Sequence, residues 1–253
     1  LEKKRKKIIS YIGFLVLGFV LFNLVWWICA EIFQMKALPK PPDVYAAYAD
    51  ALDNGIGEHA LASLRRICLG ILISLAIALV LGLVMGRNKV VNKILSPLIY
   101  FTYPVPKLAL LPIVMVIFGI GETSKILIIV LIIVFQLTIS IRDAVRNIPK
   151  EDYDVLISIK ASRWQQMRHI TMPAILPEVF SSLRVSSGIA ISALFFTEIF
   201  GTDKGLGFYI NDSWNRIDYI QMYFGIFMLS MVGLLIFLLL DLLDTWICRW
   251  KKL

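Results

Sequence analysis

The chain has 253 residues, 58% of them apolar and only 17% charged, with a mean hydropathy of +0.78 and a formal net charge of +8. That leaves too few polar side chains to cover a soluble domain of this length. Nor does the basic excess point to nucleic acid, because there is no soluble basic domain and no zinc-finger spacing.

Six apolar runs of helical character follow one another, at roughly 8–32, 61–85, 94–118, 124–141, 174–200 and 221–247. Each is long enough to cross a hydrocarbon core about 30 Å thick. In lipid only a helix or a closed barrel satisfies its own backbone, so the expected fold is all-α, a polytopic membrane protein of six transmembrane helices.

The first run follows Lys3-Lys4-Arg5-Lys6-Lys7, like the start of a signal peptide. Its apolar part reaches past Trp26-Trp27 with no small-x-small site behind it, so it reads as an uncleaved anchor. Residues 1–36 are taken as this basic segment with its helix, and 37–253 as a core of five further helices. The stretch Leu38-Pro39-Lys40-Pro41-Pro42 reads either as a stiff proline linker or as part of the outer face.

An inside N-terminus places 17 of the 26 Lys and Arg residues in the segments 1–7, 86–93, 142–173 and 248–253. This obeys the positive-inside rule and puts both termini in the cytoplasm of a cell-membrane protein. The same cations account for contact with anionic membrane lipid. Cys29, Cys68 and Cys248 are odd in number and lack metal-ligand spacing. His59 and His169 fall in different aqueous layers, so neither a metal site nor a catalytic pair is expected. No hydrolase or metalloprotease motif occurs, and the chain is read as a non-enzyme.

The longest cytoplasmic segment, 142–173, is basic and punctuated by proline. Tyr153, Leu156, Ile157, Ala161, Trp164 and Met167 recur at three- and four-residue spacings, as on one helix face. Pro149, Glu151 and Asp152 suit a helix start. Ser162-Arg163-Trp164-Gln165 has the spacing of a capping box, which predicts a second short helix and a break near Lys160-Ala161. Pro173 and Pro177 are expected to open the next span. The segment reads either as an interfacial helix lying on lipid headgroups or as a docking element with Tyr153 or Trp164 as its aromatic anchor.

Polar groups inside spans are costly and default to function. Arg66, Lys107, Arg184 and Glu198 are therefore candidates for the pathway or its gate. The alternative for Arg65 and Arg66 is snorkelling to the outer interface, and for Arg184 pairing with an acid on a neighbouring helix. Gly70, Gly82, Gly86 and Gly188 permit close helix packing.

Residues 154–173 resemble the loop of binding-protein-dependent ABC transporter permeases, whose pattern is E-A-A-x3-G-x9-I-x-L-P. Asp154-Val155-Leu156 stands for E-A-A, Lys160 for the glycine, and Ile170-Thr171-Met172-Pro173 for the end. Lys160 departs from a position where a left-handed turn favours glycine, and the capping box predicts that the helix break survives. Pro104-Val105-Pro106-Lys107-Leu108-Ala109-Leu110-Leu111-Pro112 is similar to a run in the nitrate/sulfonate/taurine/bicarbonate branch. So are Phe118-Gly119-Ile120-Gly121-Glu122-Thr123-Ser124-Lys125, Ala161-Ser162-Arg163-Trp164, Thr197-Glu198-Ile199-Phe200-Gly201 and Gly205-Leu206-Gly207.

The resemblance implies a type I ABC importer permease. It would work with two cytoplasmic ATPase subunits that bind ATP and Mg, a second permease subunit (a homodimer being favoured) and an external solute-binding protein. Asp154, Val155, Leu156, Lys160, Ala161, Ser162, Arg163, Trp164, Ile170 and Pro173 would couple to the ATPase. The implied substrate is a small anion such as nitrate, bicarbonate, taurine or a sulfonate, or else a vitamin precursor. The chain has no G-x-x-x-x-G-K-S/T run, so ATP and Mg are not expected to bind to it. The competing reading is a stand-alone ion-coupled transporter or channel, which would favour inverted repeats and broken mid-membrane helices.

Overall fold

A computed structural model describes the backbone of residues 2–252 and the side chains of 13, 14 and 16–250. The side chains of Lys3, Lys4, Arg5, Lys6, Lys7, Lys251 and Lys252, counted above for orientation, lie outside these. In chain order the helices are α1 (Glu2–Phe33), α2 (Pro41–Ala46), α3 (Tyr48–Asp53), α4 (Ile56–Arg87) and α5 (Lys89–Thr102). A 3-10 turn (Lys107–Leu110) leads to α6 (Leu111–Phe118), α7 (Glu122–Arg146) and α8 (Lys150–Ser158). Then come α9 (Arg163–Gln166), a π turn (Met167–Thr171), α10 (Met172–Ile199), α11 (Leu206–Asn215), α12 (Tyr219–Ile247) and a final 3-10 turn (Arg249–Lys252).

Five of these elements are long and apolar enough to cross a membrane. The predicted span 94–118 is not one straight helix. It is the pair α5 and 107–118, bent by 81°. Pro104 and Pro106 cause the break, because neither can donate to a continuing helix and each disfavours helical backbone at the residue before it.

The packing of α4 on α7 decides how this bent pair counts. Arg66 meets Glu122, and the backbones at Gly70, Gly82 and Gly86 lie against Ile129, Ile141 and Val145. Both helices advance in the same direction, so they are parallel. Parallel neighbours require the chain between them to return the full length of the pair, about 30 Å from Arg87 back to the level of Arg66. The bent pair therefore counts as one span, which makes six candidate spans among the described residues.

The molecule divides into two compact units, 1–57 with 209–227, and 58–208 with 228–253. In the first, Asn23 on α1 accepts a hydrogen bond from the Tyr45 hydroxyl at 2.6 Å, and Trp26 stacks on Tyr223 at 5.4 Å. The stretch after Lys40 is not an extended proline linker. Lys40 is extended at ψ 148°, and Pro41 and Pro42 sit in the first turn of α2, where a missing amide costs nothing. The Tyr209 hydroxyl donates to Gln221 at 2.5 Å, and burial pushes its phenol up to about 12.

The second unit holds the main core. Here α10 runs antiparallel to α7, with Thr171 at one end and Glu198 and Gly201 beside the start of α7 at the other. The later part of α12 runs antiparallel to α10, since Gly233 faces Ile191, Gly188 faces Phe237, and Arg184 pairs with Asp241 and Asp244.

Candidate functional site: a coupling segment and a buried charge cluster

The segment after α7 folds into two short helices joined by a tight turn. Helix α8 ends in a Schellman motif, with the Ala161 N–H bonded to the Leu156 carbonyl at 2.9 Å and the Lys160 N–H to Ile157 at 2.8 Å. Lys160 takes the left-handed conformation, φ 54°, that the family pattern reserves for glycine. Two well-formed hydrogen bonds offset the penalty of about 1–2 kcal/mol for a side chain there. Ser162 then caps α9. Its Oγ accepts from the Gln165 N–H at 3.3 Å, and Gln165 Oε1 accepts from the Ser162 N–H at 2.7 Å, a reciprocal capping box.

Replacing Lys160 by Gly is expected to leave stability unchanged or raise it by up to about 1 kcal/mol, while Val should cost about 1–2 kcal/mol. Thermal melting of the purified chain in detergent reads both. A Val variant as stable as wild type would show that this turn is not left-handed.

Two sequence expectations need correction. The single apolar face is split by the turn at Lys160. Tyr153, Leu156, Ala161 and Met167 are half-buried, whereas Ile157 and Trp164 point outward, Trp164 at 70% exposure. Moreover, Pro173 and Pro177 do not open a new helix. Residues 163–199 form one continuous helix. The π turn at 167–171 widens the helix just before Pro173, which leaves room for a ring that would otherwise strike the carbonyl of His169.

The segment is tied down at one point, where the Tyr153 hydroxyl and buried Thr171 Oγ1 lie 2.9 Å apart. With Tyr153 so engaged, Trp164 is the aromatic side chain of the segment that faces outward. Around it the segment presents Val155 and Ile159, 68% and 71% exposed, with Asp154, Lys160, Ser162 and Arg163 also on the surface. Ile170 and Pro173 are half-buried within the helix that carries the segment.

At the other end of α4 and α7 lies a buried charge cluster. Arg66 is 1% exposed. Its Nε donates to Glu122 Oε2 at 2.8 Å, and Nη2 donates to the other oxygen of the same carboxylate. Nη1 donates to Glu198 Oε1 at 2.6 Å and to the Lys204 carbonyl at 2.7 Å. Glu198 is fully buried and also accepts from Ser63 Oγ and from the Gly207 N–H, each at 2.8 Å. Buried Lys125 donates to the carbonyls of Gly121 and Gly201. Two cations and two carboxylates thus balance, which a low-dielectric site requires.

The glycines around it are dictated by this packing. Gly205 has φ 132°, and a Cβ there would lie 2.4 Å from the Glu198 carboxyl carbon and 2.6 Å from Arg66 Nη1. His59 Nδ1 accepts from the Gly205 N–H at 3.0 Å, and a 2.7 Å hydrogen bond to Glu58 raises the Lys204 ammonium above its ordinary value.

Of the four pathway candidates, the structure brings Arg66 and Glu198 together and removes both from solvent. Arg66 therefore does not snorkel, although its neighbour Arg65 is exposed, and Glu198 presents no carboxylate to solvent. Arg184 pairs with Asp241, with Asp244 3.9 Å away, as expected of a cation answering a neighbouring helix. Lys107 donates to the Tyr103 carbonyl and lies over the Tyr103 and Phe135 rings, 5.2 and 5.7 Å from their centroids. Sequence reasoning missed the roles of Glu122 and Lys125. Their signal was the pairing of Gly121-Glu122 and Glu198-x-x-Gly201, each an acid beside a flexible turn.

The description "Binding-protein-dependent transport system inner membrane component" matches residues 70–252. The taurine transport system permease protein TauC of Escherichia coli is 31% identical over 234 residues, 89% of this chain and 85% of TauC. The formylaminopyrimidine transport permease protein ThiX of Halalkalibacterium halodurans is 26% identical over 237 residues, covering 93% of this chain and 95% of ThiX. Among solved structures, a chain of the MetNI methionine ABC transporter in an inward-facing conformation superposes with a TM-score of 0.56 at 19% identity. That match covers 79% of this chain and 95% of the other.

Proposed function

Since the chain belongs to the binding-protein-dependent transport system inner membrane components, the multi-pass permeases of ABC importers, we propose that segment 150–171 is its docking lever for a cytoplasmic ATPase. The observation that carries this reading is the combination of exposed Val155, Ile159 and Trp164 with a rigid mounting. A Schellman turn, a capping box and the Tyr153–Thr171 contact hold that surface on a helix continuous with a membrane span. A preformed patch with an aromatic centre and a charged rim is what a specific protein contact needs.

In this reading two copies of the chain line the pathway, each engages one ATPase subunit that binds ATP and Mg, and an external binding protein delivers the solute. Asp154, Lys160, Ala161, Ser162, Arg163 and Trp164 transmit the movement, with Val155 and Leu156 as apolar contacts and Ile170 and Pro173 passing it into α10. Six crossings and the distribution of Lys and Arg support cytoplasmic termini. Arg66 and Glu198 hold the pathway walls together rather than contact solute. Lys107 is the better candidate to face it, being half-exposed and without an acidic partner among the described residues. The solute is proposed as a small anion of the taurine or sulfonate kind, in line with TauC. A heteroaromatic vitamin precursor is the second reading, because ThiX matches over nearly all of both chains.

The test is co-purification from membranes with a cytoplasmic P-loop ATPase. Trp164→Asp is expected to weaken the complex by thirtyfold or more, about 2 kcal/mol for an aromatic hot spot, and Arg163→Glu by a smaller factor. Both variants should retain the wild-type melting temperature. A Trp164→Asp chain that binds the ATPase normally would refute the docking role. ATP-independent solute movement by the chain alone in vesicles would favour an ion-coupled mechanism.

A further inference from the structure

The end of α4 and the start of α9 flank an open cavity that shares only Arg163 with the docking residues proposed above. It is about 440 Å³ and is lined by Leu83, Val84, Arg87, Asn88, Lys89, Arg163 and Met167. Its chemistry is divided. Leu83, Val84 and Met167 supply apolar lining, while Arg87, Lys89 and Arg163 supply three cations from two separate stretches of chain. Among the described residues none of the three has an acidic partner. Asn88 is itself committed, its Oδ1 accepting from the N–H groups of Val90 and Val91. It caps α5 and fixes the turn that places Arg87 and Lys89 on either side.

Three cations around one cavity repel one another, and an anion seated among them would relieve that repulsion. The depth is informative. Arg87 ends a candidate span and Arg163 begins the long helix that carries another, which sets the cavity beside the membrane boundary in the orientation proposed above. Apolar and cationic lining side by side match a phosphodiester at the head of two acyl chains. A fully hydrated ion would gain nothing from the apolar lining.

We propose that this cavity binds the phosphate headgroup of an anionic phospholipid, such as phosphatidylglycerol or cardiolipin, with Arg87, Lys89 and Arg163 around the phosphate. The lipid would bridge the end of α4 to the first turn of the docking helix, so bilayer charge would bias where that helix rests. The inference rests on the cytoplasmic placement of segment 150–171 proposed above. Its test does not need the ATPase and so fails or succeeds independently of the docking role.

The experiment is native mass spectrometry of the purified chain, titrated with phosphatidylglycerol, phosphatidylcholine or inorganic phosphate. One phosphatidylglycerol per chain is expected to survive activation that strips phosphatidylcholine. The triple variant Arg87→Gln, Lys89→Gln, Arg163→Gln should bind it on the order of a hundredfold more weakly, roughly fivefold per cation. Arg146→Gln and Arg249→Gln, cations outside the cavity, should change little. The pair Arg87→Lys, Arg163→Lys keeps the charges and should retain the lipid, which guards against a misfolded Gln variant. Equal retention by wild type and the triple variant would overturn the proposal, as would equal loss in the two control variants. Millimolar inorganic phosphate should leave the bound lipid in place. Displacement of lipid by phosphate would assign the cavity to a free anion instead.

Discussion

Substituting Glu198 by Ala is expected to cost about 3–5 kcal/mol, the usual penalty for stranding one member of a buried ion pair. The side chain it removes is fully buried and engages Arg66, Ser63 and the Gly207 N–H at once. Its loss leaves the Arg66 guanidinium with one carboxylate instead of two, inside a unit where Lys125 is also buried. It also leaves the backbone of Gly207 without its acceptor. For a chain of this size the melting temperature should fall by on the order of 10 °C. Glu198→Gln should fall less, since an amide oxygen can still accept from Ser63 or Gly207. Detergent-solubilised protein and a dye that reports thiol exposure would read both. If Glu198→Ala melts with the wild type, the carboxylate is not holding the loop 201–207, and its assignment here is wrong.

The second large effect concerns the parallel contact of α4 with α7. A Cβ at Gly70 would lie 2.5 Å from Ile129 Cγ2 and 3.0 Å from its Cβ, and Ile129 is fully buried with no room to swing. Gly70→Ala is therefore expected to destabilise by about 1–3 kcal/mol through overpacking. Ile129→Ala alone should cost about 2–5 kcal/mol through its cavity. Together the two should cost clearly less than their sum, because the new methyl occupies part of the space the isoleucine vacates. Strict additivity in melting or denaturant resistance would mean that the helices do not meet at this point.

The spans were legible because lipid imposes one requirement on every residue between the interfaces, and a run such as 219–247 meets it without ambiguity. The capping box at Ser162 was equally legible, since it depends on residues three apart. The buried cluster was not. Arg66, Glu122 and Glu198 are separated by 56 and 76 positions, and no local pattern says that they converge. Read one at a time, each is an expensive charge in a membrane segment and so invites a role in the pathway. Only the fold shows that they neutralise one another. Similarly, hydropathy alone made 94–118 one span, and the prolines at 104 and 106 did not show that the chain would turn by 81° and still complete it. The continuity of 163–199 was hidden for the opposite reason. Pro173 ordinarily marks a helix start, and the π turn that accommodates it leaves no residue signature.

That continuity has a mechanical consequence. Between the π turn and Ile199 the helix extends 28 residues, about 42 Å, while only about 13 Å of it lies on the docking side. If the widened turn serves as the fulcrum, the arms differ by a factor of about three. A tilt of about 5° that moves Trp164 by about 1 Å would sweep the far tip by nearly 4 Å. Since that tip carries Glu198, its bonds would drag α4 and the head of α7 along as one block. The protein would then be geared for travel rather than force: a small, strong stroke on one face of the membrane returned as a longer, weaker one on the other.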